Sequence, residues 1–289
     1  MILVTGGTGT AGSEVVRALV GQGRAVRVLV RDPGKARALF GDAVEPAVGD
    51  FADARSVQAA LAGVDELVLS GPDDPRRVGW ETGAIDAAAA VGVRRIVKLS
   101  SIGAEPGSPV AFWDWHGRIE RHLRRSAVRS VVLRSSVYMS NVPPQVAPDG
   151  ELYAPAGAAR IAMIDPRDVG AAAAAVLTTA GHDGRTYVLT GPEAISYARV
   201  ATELSAATGR EVAFVDVPDD AAWQQLTASG MPEAVAGVIV ALYGALRAGA
   251  AEQVTTAVES LTGRRPRDFA TFARDHAGLF APAAVGAAR

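Results

Sequence analysis

The sequence predicts an α/β fold: a doubly wound parallel sheet followed by a smaller, mostly helical C-terminal portion. Three observations carry this expectation. Short apolar runs alternate with helical patterns through the first half of the 289-residue chain, which is the rhythm of right-handed βαβ crossovers. The runs are almost continuously apolar, as strands covered on both faces must be. A glycine-rich turn joins the first run to the first helix, the arrangement by which sheets of the Rossmann type bind dinucleotides.

Taken in order, Ile2–Thr5 reads as a strand, and Val15, Val16, Leu19 and Val20 form the stripe of a helix. Ala25–Val30 is the second strand, followed by a turn at Asp32–Pro33–Gly34 and a short helix through Leu39. Val44–Val48 is a third strand ending at Gly49–Asp50, and a helix runs from about Asp53 to Leu61. Strands at Glu66–Ser70, Val93–Leu99 and Val128–Leu133 alternate with helices at Pro75–Val91 and Val110–Arg125. Beyond Arg134 the rhythm changes. Val142–Pro143–Pro144 and Pro148–Asp149–Gly150 read as loops, and Asp165–Pro166 as a helix start with Asp as N-cap. Strand-like Thr186–Leu189 and Val212–Val217 flank a helix near Ser196–Thr208, and the rest is helical. Val235, Val238, Ile239, Leu242, Tyr243 and Leu246 make one apolar helix face. The expected organisation is a nucleotide-binding domain over 1–150 and a smaller substrate-binding portion over 151–289 sharing the cleft, with some segments free to return to the first sheet.

Composition excludes several function classes. Hydrophobic residues are 49% and charged residues 21%, which is ordinary for a globular chain and rules out wholesale disorder. A net charge of −2 gives no reason to expect a nucleic-acid partner. With no cysteine there is no disulfide, thiolate nucleophile or Cys-based metal site, and the four scattered histidines suggest no metal site either. The longest uncharged apolar run, Ala234–Leu246, is well short of the roughly 20 residues of a membrane span. The first strand begins at Ile2, leaving no room for a leader, so the expected compartment is the cytoplasm. Monomer and homodimer both remain open.

The chemistry is concentrated in Thr5–Gly6–Gly7–Thr8–Gly9–Thr10–Ala11–Gly12. Gly6, Gly9 and Gly12 have GxxGxxG spacing. Gly6 lets the chain leave the strand, Gly9 lets the backbone approach a pyrophosphate, and Gly12 lets the helix pack against the strand. Thr8, Thr10 and Ala11 complete this cofactor-binding turn. No lysine precedes Ser13, so the turn is not a P-loop. Arg31 ends the second strand where NAD enzymes usually carry an acidic residue, and Lys35 lies close by. Both favour a 2′-phosphate, hence NADP(H); the alternative for Arg31 is a solvated strand end. Asp50 and Phe51 fall where adenine should lie, with Phe51 equally readable as core. Ser70, Gly71 and Pro72 should border the nicotinamide ribose. Ser100 and Ser101 end the fifth strand, where ligands to open α/β sheets bind.

These residues carry a resemblance. TGGTGTAG, Val30–Arg31–Asp32–Pro33, Gly49–Asp50, Leu99–Ser100–Ser101, His116-x-x-x-Glu120, Leu133–Arg134 through Asn141, Asp165–Val169 and Thr262–Gly263–Arg264–Arg265–Pro266 together resemble the NmrA-like group of atypical short-chain dehydrogenases/reductases. That group includes quinone reductases and NADP-sensing regulators. The resemblance aligns Phe112 and His116 with the Tyr-x-x-x-Lys pair of typical members. The chain has no such pair: its only lysines, Lys35 and Lys98, have Arg31 and Arg94 four residues upstream.

The reading that follows is an NADPH-dependent oxidoreductase delivering hydride to a quinone-like or conjugated, largely apolar small molecule. Such an acceptor delocalises the negative charge it gains, so a strong acid is less necessary. His116 is the first candidate proton donor; the alternatives are a hydrogen bond to the ribose or to Glu120. Tyr138 is the second, with pocket wall as its alternative. The competing reading is a non-catalytic NADP(H)-binding redox sensor acting through a protein partner, and a non-redox use of the scaffold, such as isomerisation or dehydration, is the third.

Overall fold

The computed structural model describes residues 1–147 and 149–280; of the predicted loops, Pro148 lies outside the described residues. In chain order the elements are β1 (Ile2–Val4), α1 (Thr10–Gly21), β2 (Val26–Val30), α2 (Pro33–Phe40), β3 (Glu45–Val48), α3 (Ala54–Ala60), β4 (Glu66–Leu69), α4 (Arg77–Ala90), β5 (Arg95–Ser101), α5 (Ala111–Arg125) and β6 (Arg129–Ser135). Then follow β7 (Glu151–Ala154), β8 (Arg160–Ile161), α6 (Pro166–Thr178), β9 (Thr186–Leu189), β10 (Ile195–Ser196), α7 (Tyr197–Thr208), β11 (Ala213–Asp216), α8 (Asp219–Ala228), α9 (Glu233–Arg247), α10 (Ala257–Thr262) and α11 (Phe269–Asp275).

The chain divides into two compact units. The first comprises Met1–Ser135, Pro166–Leu189 and Thr256–Arg264. Its seven strands lie in the order β3-β2-β1-β4-β5-β6-β9, and every pairing is parallel. The order reverses at β1 and β4, so the crossovers run to opposite faces and the sheet is doubly wound. α1, α6 and α10 pack together on one side, and α3, α4 and α5 on the other. The core beneath the second set includes Leu3, Leu29, Leu67, Leu69, Ile96 and Val132, with Val57, Ile85 and Ile119 from the helices. Side chains alternate along a strand, so Lys98 and Ser100, two and four residues past Ile96, point to that same face.

β9 occupies the predicted bounds but pairs with β6, register Val132↔Thr186, at the far edge of the main sheet. α6, entered through Pro166, is the crossover that brings it there. β5 is displaced by two residues from the expected run, so Ser100 and Ser101 are in the strand and pair with Arg134 and Ser135.

The second unit comprises Ser136–Asp165, Thr190–Thr255 and residues 265–280. It holds a parallel pair, β11 with β7, and an antiparallel pair, β10 with β8. On α9 the expected apolar face is only partly covered: Tyr243 and Leu246 are buried, while Val235, Val238, Ile239 and Leu242 are half-buried. Tyr243 shares a 2.8 Å hydroxyl contact with Tyr197, and burial raises the pKa of both. Among the described residues no helix is long and apolar enough to cross a membrane.

Candidate functional site

The turn between β1 and α1 has the shape and the free backbone donors of an anion cradle. Gly6 has φ +63°, a conformation that costs a side-chain-bearing residue about 1–2 kcal/mol. A Cβ on it would stand 2.9 Å from the Ser70 carbonyl oxygen. Thr5 fixes the same neighbour: its hydroxyl donates to Ser70 O at 2.8 Å, and Ser70 N–H donates back to Oγ1 at 2.9 Å. The ends of β1 and β4 are thereby stitched together. Gly9 N–H closes the turn on Gly6 O at 2.9 Å. A Cβ on Gly9 would meet only that oxygen, at 3.2 Å, with open space beyond.

The packing glycines divide their work differently from the sequence expectation. Gly12 packs on the turn itself, since a Cβ there would lie 2.2 Å from Gly6 O. It is Gly7 that lies against the strands, with Val28 of β2 only 2.6 Å from where its Cβ would be. Gly9 is the N-cap of α1 and supplies no side-chain bond, and the first turn carries no acidic residue. The N–H groups of Thr10, Ala11 and Gly12 therefore have no intrahelical partner and lie at the positive end of the helix dipole. Thr10 is exposed and Thr8 half-buried, whereas Ala11 is buried. A pyrophosphate fits this cradle: open space over Gly9, three free donors and no opposing carboxylate.

At the end of β2, Arg31 is exposed, and Asp32 is the N-cap of α2, accepting from Gly34 N–H at 2.8 Å. Lys35 is exposed one turn later, and among the described residues neither Arg31 nor Lys35 has an ion-pair partner. After β3, Asp50 Oδ1 accepts from Ala52 N–H at 2.9 Å, a local turn that leaves Oδ2 unengaged. Phe51 is half-buried, packs on the core, and has its ring edge 3.1 Å from where a Cβ on Gly71 would be. Thus Gly6 meets Ser70, and Phe51 meets Gly71. Pro72 is exposed and accepts from Asp74 N–H.

Behind the strand ends lie two buried ion clusters. Lys98 and Glu81 are both fully buried, with Nζ 2.6 Å from Oε2. Arg77, 3% exposed, holds Glu81 Oε1 at 2.9 Å. Burial, and secondarily the Arg77 charge, lower the Lys98 pKa to about 8 against the opposing pull of Glu81. In the second cluster the Ser100 hydroxyl donates to Glu120 Oε1 at 2.6 Å, and Arg134 holds both oxygens of that buried carboxylate at 3.0 and 2.6 Å. Ser100, expected at the ligand, thus spends its proton on Glu120.

His116 on α5 lies among these groups. It is buried, and its Nδ1 has no hydrogen-bond partner. Burial, then the charges of Lys98, Arg77 and Arg134, push its pKa well below 6.5. At neutral pH it is an uncharged imidazole, able to make a hydrogen bond but carrying no imidazolium proton. An orphaned buried nitrogen costs about 1–3 kcal/mol, so this atom also calls for a polar ligand. Tyr138 belongs to the second unit, half-buried and bridged to Ile164.

His116 gives a stability prediction. The unfolded chain takes up a proton near pH 6.5 that the folded ring refuses, so more protons are bound unfolded and stability falls as pH drops below 6.5. The slope contributed is at most about 1.4 kcal/mol per pH unit. His116→Phe should flatten the difference between urea midpoints at pH 7 and pH 5; an unchanged difference would show that the ring accepts its proton in the folded state.

The model of the NmrA-like family matches residues 1–271. The chain belongs to that family. It is 39% identical to the NAD(P)H azoreductase of Xenophilus azovorans over 286 residues, 98% of this chain and 100% of that one. It is 38% identical to a (4-alkanoyl-5-oxo-2,5-dihydrofuran-3-yl)methyl phosphate reductase of Streptomyces griseus, covering 98% of this chain and 100% of the relative. Among solved structures, the NADPH-dependent quinone oxidoreductase of Escherichia coli complexed with NADPH matches with a TM-score of 0.86 at 28% identity, over 95% of this chain and 99% of that one.

In this NmrA-like chain, sequence reasoning passed over Gly7, Arg77, Glu81 and Lys98. A signal for Lys98 was present. It is one of two lysines in a chain whose other basic residues are all arginine, and it interrupts the apolar run Ile96–Val97–Lys98–Leu99.

Proposed function

We propose that this protein is an NADPH-dependent oxidoreductase that delivers hydride to a quinone-like or conjugated, largely apolar small molecule, without a Tyr-x-x-x-Lys pair. The observation that carries the reading is the cradle of Gly6, Gly9 and Gly12 at the free N-terminus of α1. It is supported by family membership and by relatives named as an NAD(P)H azoreductase, a (4-alkanoyl-5-oxo-2,5-dihydrofuran-3-yl)methyl phosphate reductase and a quinone oxidoreductase.

NADPH, when bound, supplies the hydride. The chain's own residues hold and orient it. Gly6, Thr8, Gly9, Thr10, Ala11 and Gly12 take the pyrophosphate on backbone N–H groups. Arg31, with Lys35, takes the 2′-phosphate. Asp50 and Phe51 border the adenine, and Ser70, Gly71 and Pro72 border the nicotinamide ribose, with Ser100 at the end of the neighbouring strand, its hydroxyl given to Glu120. His116 offers a neutral ring nitrogen for a hydrogen bond, so the proton that follows the hydride comes from solvent. An acceptor that spreads its new negative charge tolerates this arrangement. A simple ketone, which needs a proton donor in step with the hydride, is a poor substrate.

The test is NADPH oxidation against a panel of quinones, azo dyes, enones and imines. Turnover of conjugated acceptors well above background is expected. If no member oxidises NADPH, the reductase reading fails and a redox sensor takes its place. Arg31 adds a quantitative check. A charge-assisted contact to the 2′-phosphate is worth roughly 1.5–3 kcal/mol, so NADPH should bind about tenfold or more tighter than NADH. Arg31→Ala should remove most of that difference in calorimetric titrations, and equal wild-type affinities would overturn the assignment.

A further inference from the structure

The end of β4 is tied to charges that never reach the surface. Gly71 stands between Glu81 and Phe51: a Cβ on it would lie 2.8 Å from Glu81 Oε1 and 3.1 Å from Phe51 Cε1. Its carbonyl oxygen accepts from Arg77 Nη2 at 3.3 Å. The same Nη2 donates to Glu81 Oε1 at 2.9 Å, with Nε at 3.2 Å, and Lys98 Nζ lies 2.6 Å from Oε2. One residue before Gly71, Ser70 is clasped by Thr5 at the base of the glycine turn. A continuous line thus runs from Lys98 on β5, through Glu81 and Arg77 on α4, to Gly71, Ser70 and the turn.

Stability alone does not account for this set. Buried ion pairs cost desolvation, and well-packed apolar groups of similar volume are often as stabilising or more so. The strand around Lys98 is apolar, and Met or Leu would suit it. What the charged set does, and apolar side chains cannot, is hold a backbone carbonyl. Arg77 is fixed on Gly71 O because Glu81 grips Nε and Nη2 on that same edge of its guanidinium, while Asp73 Oδ1 takes Nη1 at 2.6 Å. Glu81 is held in place in turn by Lys98, whose Nζ lies against its second oxygen.

We propose that Arg77, Glu81 and Lys98 are positioning residues that hold the backbone of Ser70 and Gly71 against the glycine turn, so that the cofactor meets a wall already formed. The inference rests on the reading of that turn as the NADPH cradle. The three side chains are 3% exposed or less and act through the backbone. Their contribution is to affinity, because a preformed wall removes an ordering cost from binding.

The experiment titrates NADPH calorimetrically into wild type, Lys98→Met, Lys98→Arg and the double variant Lys98→Met/Glu81→Gln. Amide exchange over residues 70–76 is followed in each without cofactor. The double variant leaves no unbalanced buried carboxylate and keeps the question answerable if Lys98→Met does not fold. Lys98→Met and the double variant should bind NADPH about tenfold or more weakly. Their 70–76 amides should exchange faster while those of α1 do not change. Lys98→Arg, which keeps the charge, should retain most of the affinity. A folded variant that binds as wild type does, or that loses affinity with 70–76 exchange unaltered, overturns the proposal. Wild type that fails to bind NADPH overturns the cofactor reading and this inference with it, whereas wild-type binding with unaffected variants overturns the inference alone.

Discussion

Gly9→Val is expected to fold and to lose NADPH binding. The Cβ position at Gly9 meets one non-neighbouring atom, Gly6 O at 3.2 Å, and otherwise opens into space. The backbone there is extended, φ −88° and ψ 179°, which a β-branched residue adopts readily. The fold therefore has one tight contact to relax, by a few tenths of an ångström at Gly6 O. The isopropyl group would, however, stand where a pyrophosphate must come to reach the N–H groups of Thr10, Ala11 and Gly12. Each charge-assisted bond to phosphate is worth roughly 1.5–3 kcal/mol. Losing two of them weakens binding about a hundredfold or more. Gly12 supplies the contrast: any side chain there would lie 2.2 Å from Gly6 O, so Gly12→Val should damage the turn and the melting temperature as well. Calorimetry with NADPH and thermal unfolding separate the two variants. Normal titration of Gly9→Val would show that the cofactor does not approach α1.

The contrast between these glycines also shows how far the sequence could be read. Local pattern placed the turn correctly, because strand, glycines and helix follow one another within a dozen residues. It could not assign the packing roles, because the atom that excludes a side chain at Gly7 is on Val28, in the neighbouring strand. The same limit applies to β9. Its four residues were legible from their β-branched and aromatic content, but its place beside β6 depends on where α6 delivers the chain. Lys98 is the strongest case. The residue was visible, yet its burial is tolerable only because Glu81 arrives from α4 and Glu120 from α5 to offset its charge. No window of the sequence contains that neutralisation. His116 was legible as a candidate by position, but its charge state was not, since that is set by burial and by cations on three other elements.

Arg134→Met should be the most destabilising single substitution at the strand ends. Glu120 is fully buried and takes four contacts: Ser100 Oγ at 2.6 Å, Arg134 at 3.0 and 2.6 Å, and the largely exposed Arg124 at 3.2 Å. Removing Arg134 leaves a buried carboxylate with one hydroxyl and one solvent-screened guanidinium, and breaking such a pair costs about 3–5 kcal/mol. Adding Glu120→Gln should recover most of the loss, because no buried charge then lacks its partner. Urea midpoints for wild type, Arg134→Met and Arg134→Met/Glu120→Gln decide the matter. A deficit that Glu120→Gln does not rescue would mean that Arg134 acts by packing its stem and that the buried charge of Glu120 is held by other means.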